Sequence, residues 1–172
     1  MTTKAQVKSL MSHPGEVAIL GGGVSGIAAQ KLLESQGQCC TLYSEEGNIF
    51  DKKAAQDCSF VVVSPGFAPL HCWIQIAKEA KKACLSEIDL GLMFSSADEI
   101  VAVTGTNGKT SLTGILTHIA NHLQVPALSL GNIGVALCDA VSREQDQGKL
   151  IFHETSSFQC LHTNFFEPDS AI

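Results

Sequence analysis

The chain of 172 residues is long enough for one large domain, or for a small domain followed by part of another. Hydrophobic residues make up 45% of it and charged residues 16%, which excludes a disordered chain. The formal net charge of -6 argues against non-specific nucleic-acid binding, which depends on clustered Lys and Arg. No apolar run has the length of a membrane span and no secretory signal is present, so we predict a soluble, cytoplasmic protein without membrane insertion.

The cysteines and histidines show none of the spacings that bind metals. The seven cysteines include no Cys-x-x-Cys pair, and their apolar neighbours predict reduced, buried thiols. The six histidines are expected to be surface residues or buried residues with satisfied hydrogen bonds, and His153 is expected to be a packing residue.

The first half of the chain predicts a β-α-β unit. Residues 1–15 form a polar lead-in or a short helix, and a buried strand is predicted over 16–20. Residues 21–26 read Gly-x-Gly-x-x-Gly, and a helix ending near Gly37 and a strand over 38–43 follow. This glycine spacing brings backbone close to a diphosphate. Close packing of a helix on a strand would require the same glycines, so the pattern alone leaves both explanations open.

The alternation of strands and helices continues to residue 96. A buried strand over 60–63 ends in Ser64-Pro65-Gly66-Phe67, and a helix over 71–82, a strand over 84–85 and a helix over 87–95 follow. Ligands of open parallel sheets bind at the carboxyl ends of strands, so Ser64 and Gly66 are candidate phosphate contacts. A simple Pro-Gly turn would also explain this segment. Residues 95–98 have the composition of a domain boundary.

The strongest signal is a strand, a glycine loop and a helix in succession. The apolar run 100–103 is followed by Gly105-Thr106-Asn107-Gly108-Lys109-Thr110-Ser111, and an apolar period of three to four begins at Lys109. The loop can direct several N–H groups at one anion, at the positive end of a helix. Lys109 would reach the terminal phosphates, and the hydroxyl of Thr110 or Ser111 would ligate Mg2+. The loop is shorter than the common pattern, because only Thr106 and Asn107 separate Gly105 from Gly108.

Two further strand ends carry polar residues. A strand over 126–130 ends in Gly131-Asn132-Ile133-Gly134, and a helix is predicted over 137–149, with 144–149 as a solvated turn. The strand over 150–154 ends in Glu154, which would ligate Mg2+ or hold a water, or would otherwise be an exposed charge. Residues 168–172 begin another strand.

These elements predict an α/β fold in two parts. A Rossmann-like N-terminal domain with a parallel sheet is predicted over 1–96, and part of a P-loop-like, ATP-binding α/β central domain over 97–172. The strand count of the second part is low for a nucleotide-binding sheet, and the chain ends on apolar residues. We therefore expect the second part to be truncated.

Five segments, taken in order, resemble the Mur ligases, the ATP-dependent amide ligases that build the peptide stem of bacterial peptidoglycan. The segments are residues 21–26, 64–67, 105–110, 131–134 and 154–159. The Ser-Pro-Gly and Ser-Ser-Phe-Gln segments resemble the D-glutamate-adding branch. The resemblance implies an enzyme that joins D-glutamate to UDP-N-acetylmuramoyl-L-alanine through an acyl phosphate, with ATP as co-substrate and Mg2+ as metal.

The resemblance also implies roles for individual residues. The UDP part of the substrate would be held by Val24, Ser25, Ser44, Glu45, Ser64, Gly66 and Phe67. Residues 105–111 would bind ATP, with Lys109 at the γ-phosphate, while Thr110 and Glu154 would hold Mg2+; Lys109 and Glu154 are the catalytic candidates. The muramoyl-alanine end would meet Asn132, Ser156 and Gln159. The family often has Asp and Thr where this chain has Ser44 and Glu45, so a serine would make an uncharged bond there.

The family's central domain continues with a His and a carbamylated Lys, and a third domain follows it. We therefore expect this chain alone to lack ligase activity. The glycine turn on its own is also compatible with an NAD(P)-dependent oxidoreductase, and a naturally short chain with a non-catalytic nucleotide-binding module. A related ligase that extends folate with glutamate would share the loop at 105–111 but would not need the first domain.

Overall fold

The computed structural model describes residues 9, 11, 15–132 and 134–172, and they form two parallel sheets with helices packed against them. The predicted α/β class is confirmed. Most of the lead-in over 1–15, and Ile133 in the segment 131–134, lie outside the described residues. The division into domains at residue 96 stays a prediction; below, the first half denotes residues 15–94 and the second half residues 99–172.

The first half contains a four-stranded sheet in the order β2-β1-β3-β4, with every pairing parallel. Its elements are β1 (Val17–Leu20), α1 (Val24–Ser35), β2 (Cys40–Tyr43), α2 (Lys52–Asp57), β3 (Val61–Val63), α3 (Cys72–Glu79), β4 (Cys84–Ser86) and α4 (Glu87–Phe94). Helix α2 was not predicted; it has a side-chain cap, because Asp51 accepts a 2.8 Å hydrogen bond from the backbone of Ala54. Helix α3 ends before Lys82, and Lys81 has a left-handed φ of 56°.

The second half contains a four-stranded parallel sheet in the order β6-β7-β5-β8. Its elements are β5 (Glu99–Val103), α5 (Lys109–His122), β6 (Ala127–Gly131), α6 (Leu137–Ser142), β7 (Leu150–Glu154), α7 (Ser157–Cys160) and β8 (Ser170–Ala171). In α5, Leu112 and Leu116 pack against the sheet while Ile115 and Ile119 of the same apolar period stay exposed.

The segment 137–149 is a helix that runs into a turn, as predicted. Helix α6 ends at Ser142, and Glu144 adopts a left-handed φ of 55°. The predicted solvated turn over 144–149 is wrong at Asp146, which is 1% exposed. Asp146 accepts hydrogen bonds from the Ser95 hydroxyl at 2.9 Å and the Ser96 N–H at 2.8 Å. It thereby fixes the connection between the two sheets.

One apolar core extends through both halves. Residues of β1, α1 and α4 belong to the same buried cluster as residues of α6 and β7, among them Ile19, Leu33, Leu90, Leu137 and Ile151. This shared core holds the two sheets in a fixed relation, so that the loops at their strand ends can form a common site.

The thiols differ from the prediction. All seven cysteines are free, but only Cys58 and Cys138 are buried, and Cys39, Cys72 and Cys160 are exposed. None of the helices in the described part of the chain combines the length and the apolar character needed to cross a bilayer.

Candidate active site

A crevice lies where the strand-end loops of the two halves meet. It consists of a first cavity of about 950 Å³ and a second cavity of about 730 Å³, and Pro65, Gly66 and Asn132 line both. The first cavity is also lined by the predicted site residues Gly105, Thr106, Lys109 and Ser156. The second is also lined by Val24, Ser25, Ser64, Phe67 and Gln159. The structure therefore brings together residues that the sequence singled out in five separate segments.

The glycine turn, residues 21–26, combines close helix packing with backbone N–H groups that are open to a ligand. A Cβ at Gly26 would lie 1.8 Å from the Gly21 carbonyl oxygen, so this glycine serves close packing of α1 on the turn. A Cβ at Gly23 would meet nothing within 4 Å, and Gly23 caps α1 without a side-chain hydrogen bond. The first turn of α1 therefore presents unpaired backbone N–H groups beside the second cavity, with Val24 74% exposed.

The turn at 64–67 is fixed by both halves of the chain. The Ser64 hydroxyl donates to the Gly21 carbonyl at 3.4 Å, which joins this turn to the glycine turn. The Phe67 ring stacks on Trp73 at a centroid distance of 5.7 Å. The Phe67 carbonyl accepts from His162 Nε2 at 2.7 Å, a contact from the second half of the chain.

Ser44 and Glu45 line neither of the two cavities. The Ser44 side chain lies beside the glycine turn, because its Cβ is 3.8 Å from a Cβ built on Gly22. The Glu45 side chain is 81% exposed, with its Oε1 3.9 Å from His71 Nε2. These residues stand at the edge of the site, and their uridine role stays a prediction.

The Gly-Lys loop, residues 105–111, has the predicted strand-loop-helix context. Gly105 and Gly108 have φ of 138° and 78°, a region that side chains rarely adopt. Gly108 caps α5 without a side-chain hydrogen bond, so the first N–H groups of this helix are open to an anion. The Lys109 ammonium donates to the Gly105 carbonyl at 2.8 Å, which folds it over the loop. Thr110 and Ser111 are exposed.

Glu154 is buried, so the alternative of an exposed charge is wrong. It is 3% exposed, and β7 pairs it with Val103, two residues before Gly105. Its Oε1 accepts from Asn132 Nδ2 at 3.4 Å, and its carbonyl accepts from the Asn132 N–H at 3.0 Å. Within the described residues no Lys, Arg or His forms an ion pair with it. A buried carboxylate that has no cationic partner and lies beside an anion-binding loop is suited to binding a metal cation.

The donor set fits Mg2+ only together with a phosphate ligand. Among the residues that the structure describes, no three His, Cys, Asp or Glu side chains converge as a metal site. Mg2+ is usually held by one or two protein oxygens, with phosphate oxygens and waters completing its shell. Glu154 and Thr110 are the oxygen-bearing residues predicted for this role, and neither of them lines the two cavities.

Ser156 and Gln159 form the capping box of α7. The Gln159 N–H donates to Ser156 Oγ at 3.2 Å, and Gln159 Oε1 accepts from the Ser156 N–H at 2.9 Å. Gln159 is 5% exposed and lines the second cavity. Because its oxygen is committed to the cap, its amide nitrogen is the group that can donate to a ligand.

His153 is buried as predicted but is not fully satisfied. Its Nδ1 lies 2.9 Å from Thr155 Oγ1, whereas no group in the described part of the chain forms a hydrogen bond with Nε2. Burial lowers the pKa of His153 to about 4, so the imidazole is neutral at pH 7.

Two buried carboxylates at the start of α4 were not predicted from the sequence. Glu87 is 2% exposed and lines the second cavity, and Asp89 is fully buried. Burial raises the pKa of Glu87 above its ordinary value. The Ser86-x-x-Asp89 capping box is visible in the sequence and predicts the start of α4, but it does not indicate the partners of these carboxylates in the second half.

Comparison with known proteins identifies the family. No protein-family model matches the chain. The chain is 32% identical to the UDP-N-acetylmuramoylalanine--D-glutamate ligase of Corynebacterium diphtheriae, over 92% of this chain and 38% of that protein. The ligases of the same name from Protochlamydia amoebophila and Thermoanaerobacter pseudethanolicus are 35% and 33% identical, over 82% and 89% of this chain. The chain belongs to the Mur ligase family.

The comparison confirms the resemblance that the five segments predicted, together with the Rossmann-like class of the first half. The chain covers only 36% to 38% of the length of these three Mur ligases. The activity of the complete relatives is therefore a proposal for this chain.

Proposed function

We propose that this Mur ligase chain provides the UDP-substrate site and the ATP-phosphate site of a ligase that joins D-glutamate to UDP-N-acetylmuramoyl-L-alanine. The names of the relatives support this substrate pair. The observation that carries the proposal is the single crevice, in which the glycine turn and the Gly-Lys loop flank the shared residues Pro65, Gly66 and Asn132. A ligand bound at one end of the crevice would meet the ligand bound at the other end near these shared residues.

The second cavity would hold the UDP end of the substrate. The open N–H groups at Gly23, Val24 and Ser25 suit a diphosphate, because they combine unpaired donors with the positive end of α1. Ser64 and Gly66 border the same space, and Phe67 lies beside it. Ser44 and Glu45, at the outer edge, would contact the uridine.

The first cavity would hold the phosphates of ATP. The N–H groups of the Gly-Lys loop and the Lys109 ammonium would surround them, so Lys109 would exchange its Gly105 carbonyl for a phosphate oxygen. Glu154 and Thr110 would hold Mg2+, whose chemistry there is to neutralise phosphate charge.

The reaction would proceed in two displacements. A carboxylate oxygen of the alanyl group attacks the γ-phosphorus, and ADP leaves. The amine nitrogen of D-glutamate then attacks the acyl carbon, inorganic phosphate leaves, and the nitrogen loses a proton. Asn132, Ser156 and Gln159 would orient the alanyl end, and Lys109 would stabilise the charge on the transferred phosphoryl group.

A binding experiment tests the two-site proposal. We expect the 172-residue chain to bind UDP-N-acetylmuramoyl-L-alanine and ATP with Mg2+ independently in calorimetry. Lys109→Ala should weaken ATP binding and leave the UDP-substrate unaffected, because Lys109 lines only the first cavity. Binding of NADH without binding of the UDP-substrate would contradict the proposal and favour an oxidoreductase.

A phosphate-release assay tests catalysis. We expect no turnover by this chain with ATP, UDP-N-acetylmuramoyl-L-alanine and D-glutamate, because the ligase name belongs to proteins of which it covers 36% to 38%. Measurable release that depends on D-glutamate would show that the chain is a complete enzyme.

A further inference from the structure

We propose that Glu87 and Asp89 are positioning residues that fix two ligand-binding segments of the second half against the first half. Both residues lie in the first turn of α4, and both are buried, with exposures of 2% and 0%. The proposal rests on the proposed function, because the segments are those that carry Asn132 and Gln159. It concerns residues that do not belong to the five segments from which the site was predicted.

Glu87 holds the segment that contains Asn132. Its Oε1 accepts from the Cys138 N–H at 2.6 Å, and its carbonyl accepts from the Cys138 thiol at 3.2 Å. Cys138 lies in the first turn of α6, six residues after Asn132 along the same connection. Glu87 also lines the second cavity together with Asn132. A shift of this carboxylate would therefore shift the wall of the cavity.

Asp89 holds the segment that follows Gln159. Its Oδ2 accepts from the Ser86 N–H at 3.1 Å and the Asn164 N–H at 2.9 Å, while its Oδ1 accepts from the Phe165 N–H at 3.1 Å. Asn164 Nδ2 donates to the Cys84 carbonyl at 2.6 Å. With the contact from His162 to Phe67, residues 162–165 are held against β4, α4 and the turn at 64–67 of the first half.

The donors that Glu87 and Asp89 use in the second half are mainly backbone N–H groups, not cationic side chains. Within the described residues neither Glu87 nor Asp89 has a Lys, Arg or His in an ion pair, and the N–H groups take the place of a cation. Because a backbone N–H moves only with its chain, the place of each carboxylate sets the place of a segment. Small displacements of groups that contact a ligand weaken its binding and its alignment.

The two carboxylates differ in a way that an experiment can use. Glutamine at position 87 retains an oxygen that accepts from the Cys138 N–H, so Glu87→Gln should preserve the contact. Asp89 uses both oxygens as acceptors, so Asp89→Asn places an amide NH2 against a backbone N–H whichever way it is turned.

Calorimetry with two ligands separates positioning from general stability. UDP alone would contact the first half, whereas UDP-N-acetylmuramoyl-L-alanine would also reach Asn132 and Gln159. We expect Asp89→Asn and Glu87→Ala to weaken binding of the larger ligand about tenfold more than binding of UDP, equivalent to about 1.4 kcal/mol. Glu87→Gln, the conservative variant, should restore most of the affinity for the larger ligand that Glu87→Ala loses, because it retains the acceptor for the Cys138 N–H.

Asp146→Ala is the control for general stability. Asp146 is equally buried and accepts through Oδ2 from the Ser95 hydroxyl and the Ser96 N–H, but it lines neither cavity. Because alanine removes this acceptor, Asp146→Ala should lower the melting temperature without changing the ratio of the two affinities. Equal weakening of both ligands by Asp89→Asn, or a changed ratio in Asp146→Ala, would overturn the positioning role. If Asp89→Asn does not fold, Glu87→Ala compared with Glu87→Gln decides the same question.

Failure of the proposed function would show in the unchanged chain. If that chain binds UDP-N-acetylmuramoyl-L-alanine no more tightly than UDP, the second half makes no contact with the larger ligand, and both proposals are overturned. If it binds the larger ligand more tightly and the variants keep that advantage, only the positioning role is overturned.

Discussion

The glycine turn and the Gly-Lys loop occupy equivalent places in the two halves, each following an inner strand of a parallel sheet, yet they are held differently. The glycine turn is closely packed, since a Cβ at Gly26 would collide with the Gly21 carbonyl. The Gly-Lys loop has free space around it, and Gly108 is needed there for its backbone conformation. Glycine therefore permits a close contact in the first half and a left-handed φ in the second.

From this difference between the two loops, the largest loss of stability is expected on substitution of Gly26. Gly26→Ala places a methyl group 1.8 Å from the Gly21 carbonyl oxygen, so it should destabilise the chain by about 3 kcal/mol and abolish binding of UDP. Gly23→Ala is the control within the same turn, because a Cβ there meets nothing within 4 Å and φ is -78°. Urea denaturation of both variants measures the difference; equal stabilities would break the comparison.

The second half has an acid-sensitive residue next to Glu154. His153 has its pKa lowered to about 4 in the fold, so the unfolded chain takes up a proton first as the pH falls below about 6.5. The contribution of neutral His153 to stability is complete above that pH, and the free energy of unfolding should fall by about 3 kcal/mol between pH 6.5 and 4.

Urea denaturation across this pH range tests the role of His153. His153→Leu should reduce the loss on acidification, whereas His118→Gln, at an exposed position, should leave it unchanged. An equal loss in both variants would place the acid sensitivity elsewhere.

The backbone requirement at Gly108 predicts a smaller effect. Gly108→Ala should destabilise the chain by about 1 kcal/mol, because the left-handed φ of 78° is energetically unfavourable for alanine although nothing crowds its Cβ. Gly114→Ala, inside α5 and also uncrowded, should instead stabilise the chain by about 0.5 to 1 kcal/mol. Thermal melting of the two variants measures the direction of each stability change, and two changes in the same direction would contradict the backbone requirement at Gly108.

The smallest effect is expected at the junction of the halves. The raised pKa of Glu87 means that its favourable contribution is present below the ordinary pKa of a glutamate and is lost as the pH rises through the folded pKa. Glu87→Gln keeps an acceptor without the buried charge, so it should gain stability over the unchanged chain at pH 8, by less than about 1 kcal/mol, and not at pH 4. Glu34→Gln, at an exposed position, should show no such trend.

The sequence predicted the elements that have a strong apolar pattern or a glycine loop. Strand β7 over Leu150–Glu154 has its predicted bounds, and α5 begins at Lys109 as expected. Helix α2 was missed because six residues with a single buried alanine, Ala55, have no readable apolar period. The turn over 144–149 was wrongly expected to be solvated throughout, because Asp146 is polar in the sequence but turns inward to hydrogen-bond residues 95–96.

The candidate site could be predicted where its residues follow strands, and only in part elsewhere. Ser64 and Glu154 stand at strand ends, and Lys109 follows the loop after β5; parallel sheets bring such strand ends to one edge. Glu87 and Asp89 could not be assigned, because their partners, Cys138 and residues 164–165, lie 51 to 76 positions away in the chain. Contacts of that separation depend on how the two halves pack.

The apolar cluster shared by both sheets has a consequence for folding. Because residues of α1 and α4 complete the core beneath α6 and β7, neither half can bury the apolar surface of this shared cluster alone. Cleavage at residues 95–98 would leave two pieces that remain associated while folded and do not refold after they are separated. The heat capacity profile of the intact chain should accordingly show a single cooperative transition.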